Sequence, residues 1–265
     1  MKSLEEYQIK DRDGLITYES PICHLATIVR TQQENSLNFR IMELTESLFN
    51  QWRLTIETYQ RLRHLFLELN KRSKVSESGR ISGYNMYASF HELEFKDYSY
   101  LLVISLKTFM DLFASLVDIS LNKVDRRDNL PDFFSLGGKK FPLPSEVKEE
   151  WLLIKSLDEM SWIHTIRDIR NKLIHRGYQL SIQPHLDQGT DLVMNCYRGN
   201  NTGIGNSIVK VGELYGYFLT RFPVVERTLG AVVARHLQIP QSLIGRTTFR
   251  IGDLVNNSVT KEPIK

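Results

Sequence analysis

Cysteine is scarce in this chain of 265 residues. Cys23 and Cys196 are far apart, and neither stands in a spacing typical of metal ligands. The sequence therefore favours neither a disulfide framework nor a zinc site. Cys23 and His24 are neighbours but lack a recognisable third group, so packing is a better interpretation of them than a catalytic pair. We expect a reduced, cytoplasmic protein that needs no metal or cofactor.

Long uninterrupted hydrophobic runs are also missing. The first residues, MKSLEEYQIKDRDG, are charged and contain no apolar signal core, which predicts no secretion signal. The most apolar stretch, residues 98–121, is interrupted by Lys107 and Asp111, so we interpret it as a buried helix and not as a membrane span. The net charge of +3 is compatible with a polyanionic partner, without the strong basic bias of a dedicated nucleic-acid-binding surface.

Glycine and proline are absent from residues 40–72, where apolar residues recur every three or four positions. This pattern predicts a long amphipathic helix. A second helix is predicted from about residue 84 to about residue 122, with a break in its middle left open. Its second half is apolar almost all round and should be the central helix of the fold.

Prolines and glycines cluster in residues 123–145 instead, which predicts a long connection with little regular structure. Ser145 is the expected N-cap of a further helix that ends near residue 155. That helix is either separate from the next one or joined to it in a single bent helix. Residues 208–238 are predicted to be helical again, with Pro223 as a break or kink.

Alternation of apolar and polar residues in segments 178–184 and 191–197 predicts a two-stranded hairpin. The glycines of the loop at 199–207 do not form a dinucleotide fingerprint, because they lack the flanking strand and helix. Short strands are also expected near the N-terminus, in GLITY and HLATIVR.

These elements predict a mostly α-helical fold with long antiparallel helices and a small β-hairpin insertion. We expect an N-terminal extension over residues 1–35 and a helical domain over residues 36–240, which includes the hairpin and loop at about 178–206. A C-terminal tail over residues 241–265 is expected to pack irregularly.

The segment SWIHTIRDIRNKLIHRGY, residues 161–178, combines a helical pattern with a chemical one. An apolar stripe and an opposite polar face are predicted from the helical period. The stripe comprises Trp162, Ile166, Ile169 and Leu173, widened by Ile163 and Ile174, and the polar face comprises His164, Asp168, Asn171 and His175. Gly177 then predicts the C-terminal end of the helix.

Arg170 lies at the margin of the apolar stripe, where a guanidinium needs an anionic or carbonyl partner. Asp111 is a candidate carboxylate for it, either as a structural ion pair or as the group that orients a catalytic arginine. In the structural interpretation His175 caps the C-terminus of its helix, where a cation is favoured. His164 and Asp168 are better interpreted as a surface pair than as catalytic groups.

Arg170, Asn171 and His175 match a pattern of an arginine, a polar residue, any three residues and a histidine. Through this pattern the chain resembles the HEPN superfamily of small helical bundles. The resemblance extends over about residues 36–240 and implies a metal-independent endoribonuclease that acts as a homodimer. A protein antagonist, in a toxin or defence system, is a further implication at the family level. Some members carry a tyrosine two places after the histidine. Gly177 stands there and Tyr178 follows it, so functions tied to that tyrosine are not implied.

RNA cleavage by the ribose 2′-hydroxyl needs proton transfer and stabilisation of charge on the phosphate. His175 suits the first task, Arg170 suits the second, and Asn171 can support their geometry. Two motif helices that meet across a twofold axis supply two such pairs in one cleft. The alternatives are a non-catalytic HEPN-like module that binds RNA, a nucleotide or a protein, and a structural helical dimer.

Overall fold

The described part of the chain is mostly α-helical, as predicted, and carries two small β-sheets. For the strands and for some helical residues, among them His175, only the backbone is described. The computed structural model describes residues 9–10, 16–19, 25, 27–28, 35–74, 82–124, 126, 129–157, 160–175, 179–184, 192–197, 207–243 and 248–250.

Two long helices contain more residues than any other described element. Helix α1, Asn35–Lys74, and helix α2, Ser82–Asn122, confirm the two long helices predicted from the sequence. Helix α2 is continuous, so the break left open in its middle is not there. The buried side chains of α1 recur every three or four positions: Ile41, Leu44, Leu48, Trp52, Ile56, Leu62 and Leu65. One face of an amphipathic helix thus forms its core contacts.

The second half of α2 is buried on nearly every side. The segment Lys96–Asn122 is long and apolar enough to cross a membrane by length and composition, and 61% of its most apolar window is buried inside the protein. All residues from 113 to 120 are buried. An apolar helix covered in this way is typical of a protein core.

Residues 123–144 are better packed than predicted. Phe133, Leu136 and Phe141 are each at most 2% exposed, and Leu136 forms an isolated parallel bridge with Phe141. The prediction of a connection with little regular structure is confirmed for its described residues, which form turns, bends and this bridge, but their burial was not predicted. The apolar residues of this connection follow no helical or strand period, which is why the sequence pattern gave no sign of their burial.

Helix α3, Ser145–Ser156, and helix α4, Ser161–His175, are separate, because Leu157 has an extended backbone with ψ 131°. The N-cap of α3 is Pro144 and not Ser145, so that prediction was wrong by one residue. Pro144 accepts the first helical hydrogen bond through its carbonyl oxygen, from the N–H of Lys148 at 2.8 Å.

A three-stranded antiparallel sheet follows α4. Strands β3, Gln179–Pro184, and β4, Leu192–Tyr197, pair with each other, and β5, Ser207–Lys210, pairs with the other edge of β4. The sequence predicted a helix from residue 208, but helix α5 is Val211–Thr220, so the predicted start was wrong by three residues. The strand-forming Ile208 and Val209 pair with an available strand edge instead. Residues 185–191 and 198–206 lie outside the described residues.

Helix α6, Phe222–His236, begins immediately after Arg221, and Pro223 lies in its first turn. The predicted helix of residues 208–238 is therefore two helices, since proline is tolerated at a helix start and not in its interior. Phe222 packs edge-on against Phe109 and Phe113, with ring centroids 5.0 Å apart in both pairs. These aromatic contacts join α6 to the buried half of α2.

The two ends of the chain meet in a second sheet. Strands β1, Ile9–Lys10, β2, Ile16–Glu19, and β6, Thr248–Arg250, lie in the order β1-β2-β6, with all pairs antiparallel. GLITY contributes to β2 as predicted. The strand predicted for HLATIVR was wrong, since Leu25, Thr27 and Ile28 have helical backbone. The tail is also more regular than predicted, with a 3-10 turn at Gln241–Leu243 before β6.

The chain forms two compact units, each built from several segments. The first unit contains Met1–Arg53, Thr108–Met160 and Gly216–Lys265, and the second contains Leu54–Lys107 and Ser161–Tyr215. The second unit holds α4 and the sheet β3-β4-β5, and α4 packs against β4 and β5. The segment with the Arg-Asn-x3-His pattern is thus supported by a small sheet within its own unit.

Candidate functional site

Helix α4, Ser161–His175, carries the pattern and begins at the first residue of the segment singled out in the sequence. The apolar stripe is confirmed for Ile163, Ile166 and Ile169, which are 0% exposed, and for Trp162, which is 9% exposed. Leu173 is half-buried and Ile174 is 52% exposed, so burial of the stripe does not extend to Ile174. The core therefore anchors the first three turns of α4 and leaves an apolar side chain exposed at its last turn.

Arg170 and Asn171 are adjacent, half-buried residues of this helix. Nη1 of Arg170 donates a hydrogen bond to the side-chain oxygen of Asn171, at 3.3 Å. A neutral amide thus restrains the guanidinium without neutralising it. The supporting role in a catalytic site that the sequence suggests for Asn171 stays a prediction.

His175 is the last residue of α4, and its side chain lies outside the described residues, as do Gly177 and Tyr178. Backbone geometry still fixes the relation of the positions. Positions 171 and 175 are one turn apart on the same face, whereas positions 170 and 175 are about 140° apart around the helix and about 7.5 Å apart along it.

Asp168 and Lys172 form an ion pair one turn apart, with Oδ2 and Nζ separated by 2.6 Å. Lys172 is 9% exposed, and sequence reasoning missed it because a lysine beside an apolar stripe resembles an ordinary surface residue. The spacing of Asp168 and Lys172 was the signal available, since residues four apart on a helix are neighbours. His164 is exposed, in line with its interpretation as a surface residue.

Basic residues outnumber acidic ones on the second half of α4. Arg167, Arg170 and Lys172 contribute three positive charges there, and Asp168 contributes one negative charge. Arg167 is exposed and Arg170 is half-buried. This end of the helix therefore has the charge that attracts an anionic ligand.

Asp111, the predicted orienting partner of Arg170, belongs to the first unit. Its Oδ1 accepts a hydrogen bond from the backbone N–H of Phe133, at 3.2 Å. The carboxylate thus helps to hold the packed connection that follows α2. Its pairing with Arg170 stays a prediction.

Histidine, cysteine, aspartate and glutamate side chains do not gather in groups of three or more suited to a metal ion within the residues that the structure describes. The functional groups that the sequence singled out on α4 are instead an arginine, an amide and a histidine. Comparisons of the chain with protein-family models, with curated proteins and with solved structures give no match.

Proposed function

We propose that this protein is a HEPN-like, metal-independent endoribonuclease that acts as a homodimer. The contact between Arg170 and Asn171 carries the proposal, because it restrains a phosphate-binding guanidinium toward Asn171, which shares a face of α4 with the position of the proton carrier, His175. The excess of positive charge on the second half of α4 supports an anionic substrate. Buried residues on the opposite face hold this helix in place, as a preorganised site requires.

The reaction begins when the ribose 2′-hydroxyl attacks its own 3′-phosphate. His175 accepts or delivers the proton, since an imidazole titrates near neutral pH. Arg170 binds the phosphoryl oxygens through its planar donors and stabilises the negative charge that develops on them. Asn171 holds the guanidinium, and the 5′-oxygen of the next nucleotide leaves with a proton.

A dimer follows from the angle between positions 170 and 175. Because these positions are about 140° apart around α4, one helix does not present both groups to one phosphate as readily as two helices do. A second copy related by a twofold axis brings the arginine of one chain near the histidine of the other. Ile174 supports this arrangement, because its exposed side chain lies in the turn that the second copy would cover.

The proposal is tested by incubating mixed RNA and EDTA with the wild type, Arg170→Ala and His175→Ala. Arg63→Ala is the control, because Arg63 is an exposed arginine on α1, outside the helix that carries the pattern. Circular dichroism verifies that each variant is folded. We expect the wild type and the control to cleave RNA and the two site variants to be at least about a hundredfold slower. Equal cleavage by all four proteins would refute the assigned site.

Mixing the two inactive variants tests the shared site directly. Dimers of Arg170→Ala with His175→Ala hold one complete pair, made of the arginine of one chain and the histidine of the other. Random exchange of subunits makes half of the dimers mixed, so about a quarter of wild-type cleavage should return. If both groups acted within one chain, no mixture of the two variants would recover activity.

A further inference from the structure

Helices α3 and α6 pack side by side within the first unit and leave a surface groove of about 680 Å³ between them. Glu146 at the start of α3 bonds Arg235 at the end of α6, with Oε1 and Nη1 2.9 Å apart. This ion pair marks one end of the groove. It also shows that the two helices run in opposite directions.

Only one of the three carboxylates along the groove forms an ion pair with a residue that the structure describes. Glu146 is paired with Arg235, whereas Glu149 and Glu150 form no hydrogen bond or ion pair with any residue that the structure describes. Arg227 also lines the groove, so its charged side chains, three glutamates and two arginines, carry a net charge of −1, although the chain as a whole carries +3. A net negative charge favours a cationic partner over a phosphate backbone.

Apolar side chains line the same groove. Leu153 is 56% exposed, and Val232 with Ala231 forms the facing apolar wall on α6. An exposed leucine beside unpaired carboxylates favours a partner that offers both apolar side chains and cations.

We propose that this groove binds a basic, amphipathic helix of a partner protein. A helix that lies in a groove between two others places side chains spaced three and four residues apart against the apolar wall. Its lysines or arginines then face Glu149 and Glu150, where they supply the charge that these carboxylates lack. The 12 residues of α3 extend about 18 Å, enough to contact about three turns of such a helix.

The test uses a fluorescent synthetic helix of roughly four turns, with leucines on one face and lysines on both flanks. A second probe replaces every lysine with glutamate. Anisotropy titrations measure the affinity of each probe for the full chain. The variants are Leu153→Asp and the double substitution Glu149→Lys with Glu150→Lys. The controls, Leu243→Asp and Glu46→Lys, alter exposed residues that do not line the groove.

We expect saturable binding of the basic probe, no binding of the acidic probe, and affinities weaker by about tenfold or more for both groove variants but not for the controls. Failure of the basic probe to saturate, or equal affinity of Leu153→Asp and the wild type, would overturn the proposal. So would a dimer in sedimentation experiments that Leu153→Asp dissociates, because a second copy would then fill the groove. None of these outcomes depends on RNA cleavage.

Discussion

Arg170 and Asn171 form a side-chain hydrogen bond of 3.3 Å, although adjacent residues of an α-helix project about 100° apart. The guanidinium must therefore lean toward its neighbour. An arginine held in this way has lost part of its rotamer freedom before any ligand arrives. The side chain at the second position of the Arg-Asn-x3-His pattern thus restrains the side chain at the first.

Replacing Asn171 with alanine should release Arg170 and lower the kcat of RNA cleavage about tenfold to a hundredfold, with a smaller change in KM. Asn171→Asp keeps an oxygen acceptor but partly neutralises the guanidinium, so it should chiefly raise KM. Steady-state kinetics on one short RNA distinguishes the two effects. Wild-type kcat in Asn171→Ala would show that the contact has no catalytic purpose.

Asp168 and Lys172 should matter for stability and not for cleavage. Asp168→Asn removes the carboxylate 2.6 Å from an ammonium that is largely buried, and about 1 kcal/mol of unfolding free energy should be lost. Lys172→Met with Asp168→Asn removes the charge as well and should restore most of that loss. Urea unfolding measures both. Cleavage within about twofold of the wild type is expected, and a larger loss would assign Asp168 to the site.

The motif helix could be predicted from the sequence because its signals are local. The helical period of Trp162, Ile166 and Ile169 indicated the buried face. The stop predicted at Gly177 lies outside the described residues. The exposure of Ile174 could not be predicted, since it depends on which other elements cover the last turn. The bond between Arg170 and Asn171 was likewise beyond sequence patterns, because it depends on rotamers.

The pairing of the two chain ends could not be predicted from the sequence for a different reason. Thr17 lies opposite Arg250 in the strand register, and Leu25 donates its N–H to Glu226 at 2.7 Å. Partners more than 200 residues apart leave no periodic signal in either segment. The buried Glu226, 1% exposed, would be an unfavourable residue in α6 without that distant N–H.

Gly137 should resist substitution because of its backbone and not for lack of space. Its φ is +82°, in the region that glycine adopts freely, while the Cβ of an alanine there would meet Trp151 at an ordinary 3.5 Å. We expect Gly137→Ala to lower the free energy of unfolding by about 1–2 kcal/mol. Gly137→Asn, which tolerates positive φ, should cost less. Thermal unfolding compares them, and equal melting temperatures for all three proteins would contradict the backbone explanation.

Asp118 should be the most important charged residue for the packed connection after α2. Its side chain is 2% exposed and accepts two hydrogen bonds, from Nε of Arg126 at 3.0 Å and from the amide of Asn122 at 2.7 Å. Asn122 in turn donates to the carbonyl oxygen of Pro142 at 3.1 Å. One carboxylate thus ties the end of α2 to both ends of the connection.

Asp118→Ala leaves a guanidinium that is only 25% exposed without this partner, and the loss should be about 2–4 kcal/mol of unfolding free energy. Glu146→Ala breaks the ion pair with Arg235, in which both side chains are about half exposed or more, and should cost less than about 1 kcal/mol. Urea unfolding of the two variants measures the difference. If both lost the same amount, burial would not be what gives the Asp118 contacts their strength, and the connection would be held by Phe133, Leu136 and Phe141 alone.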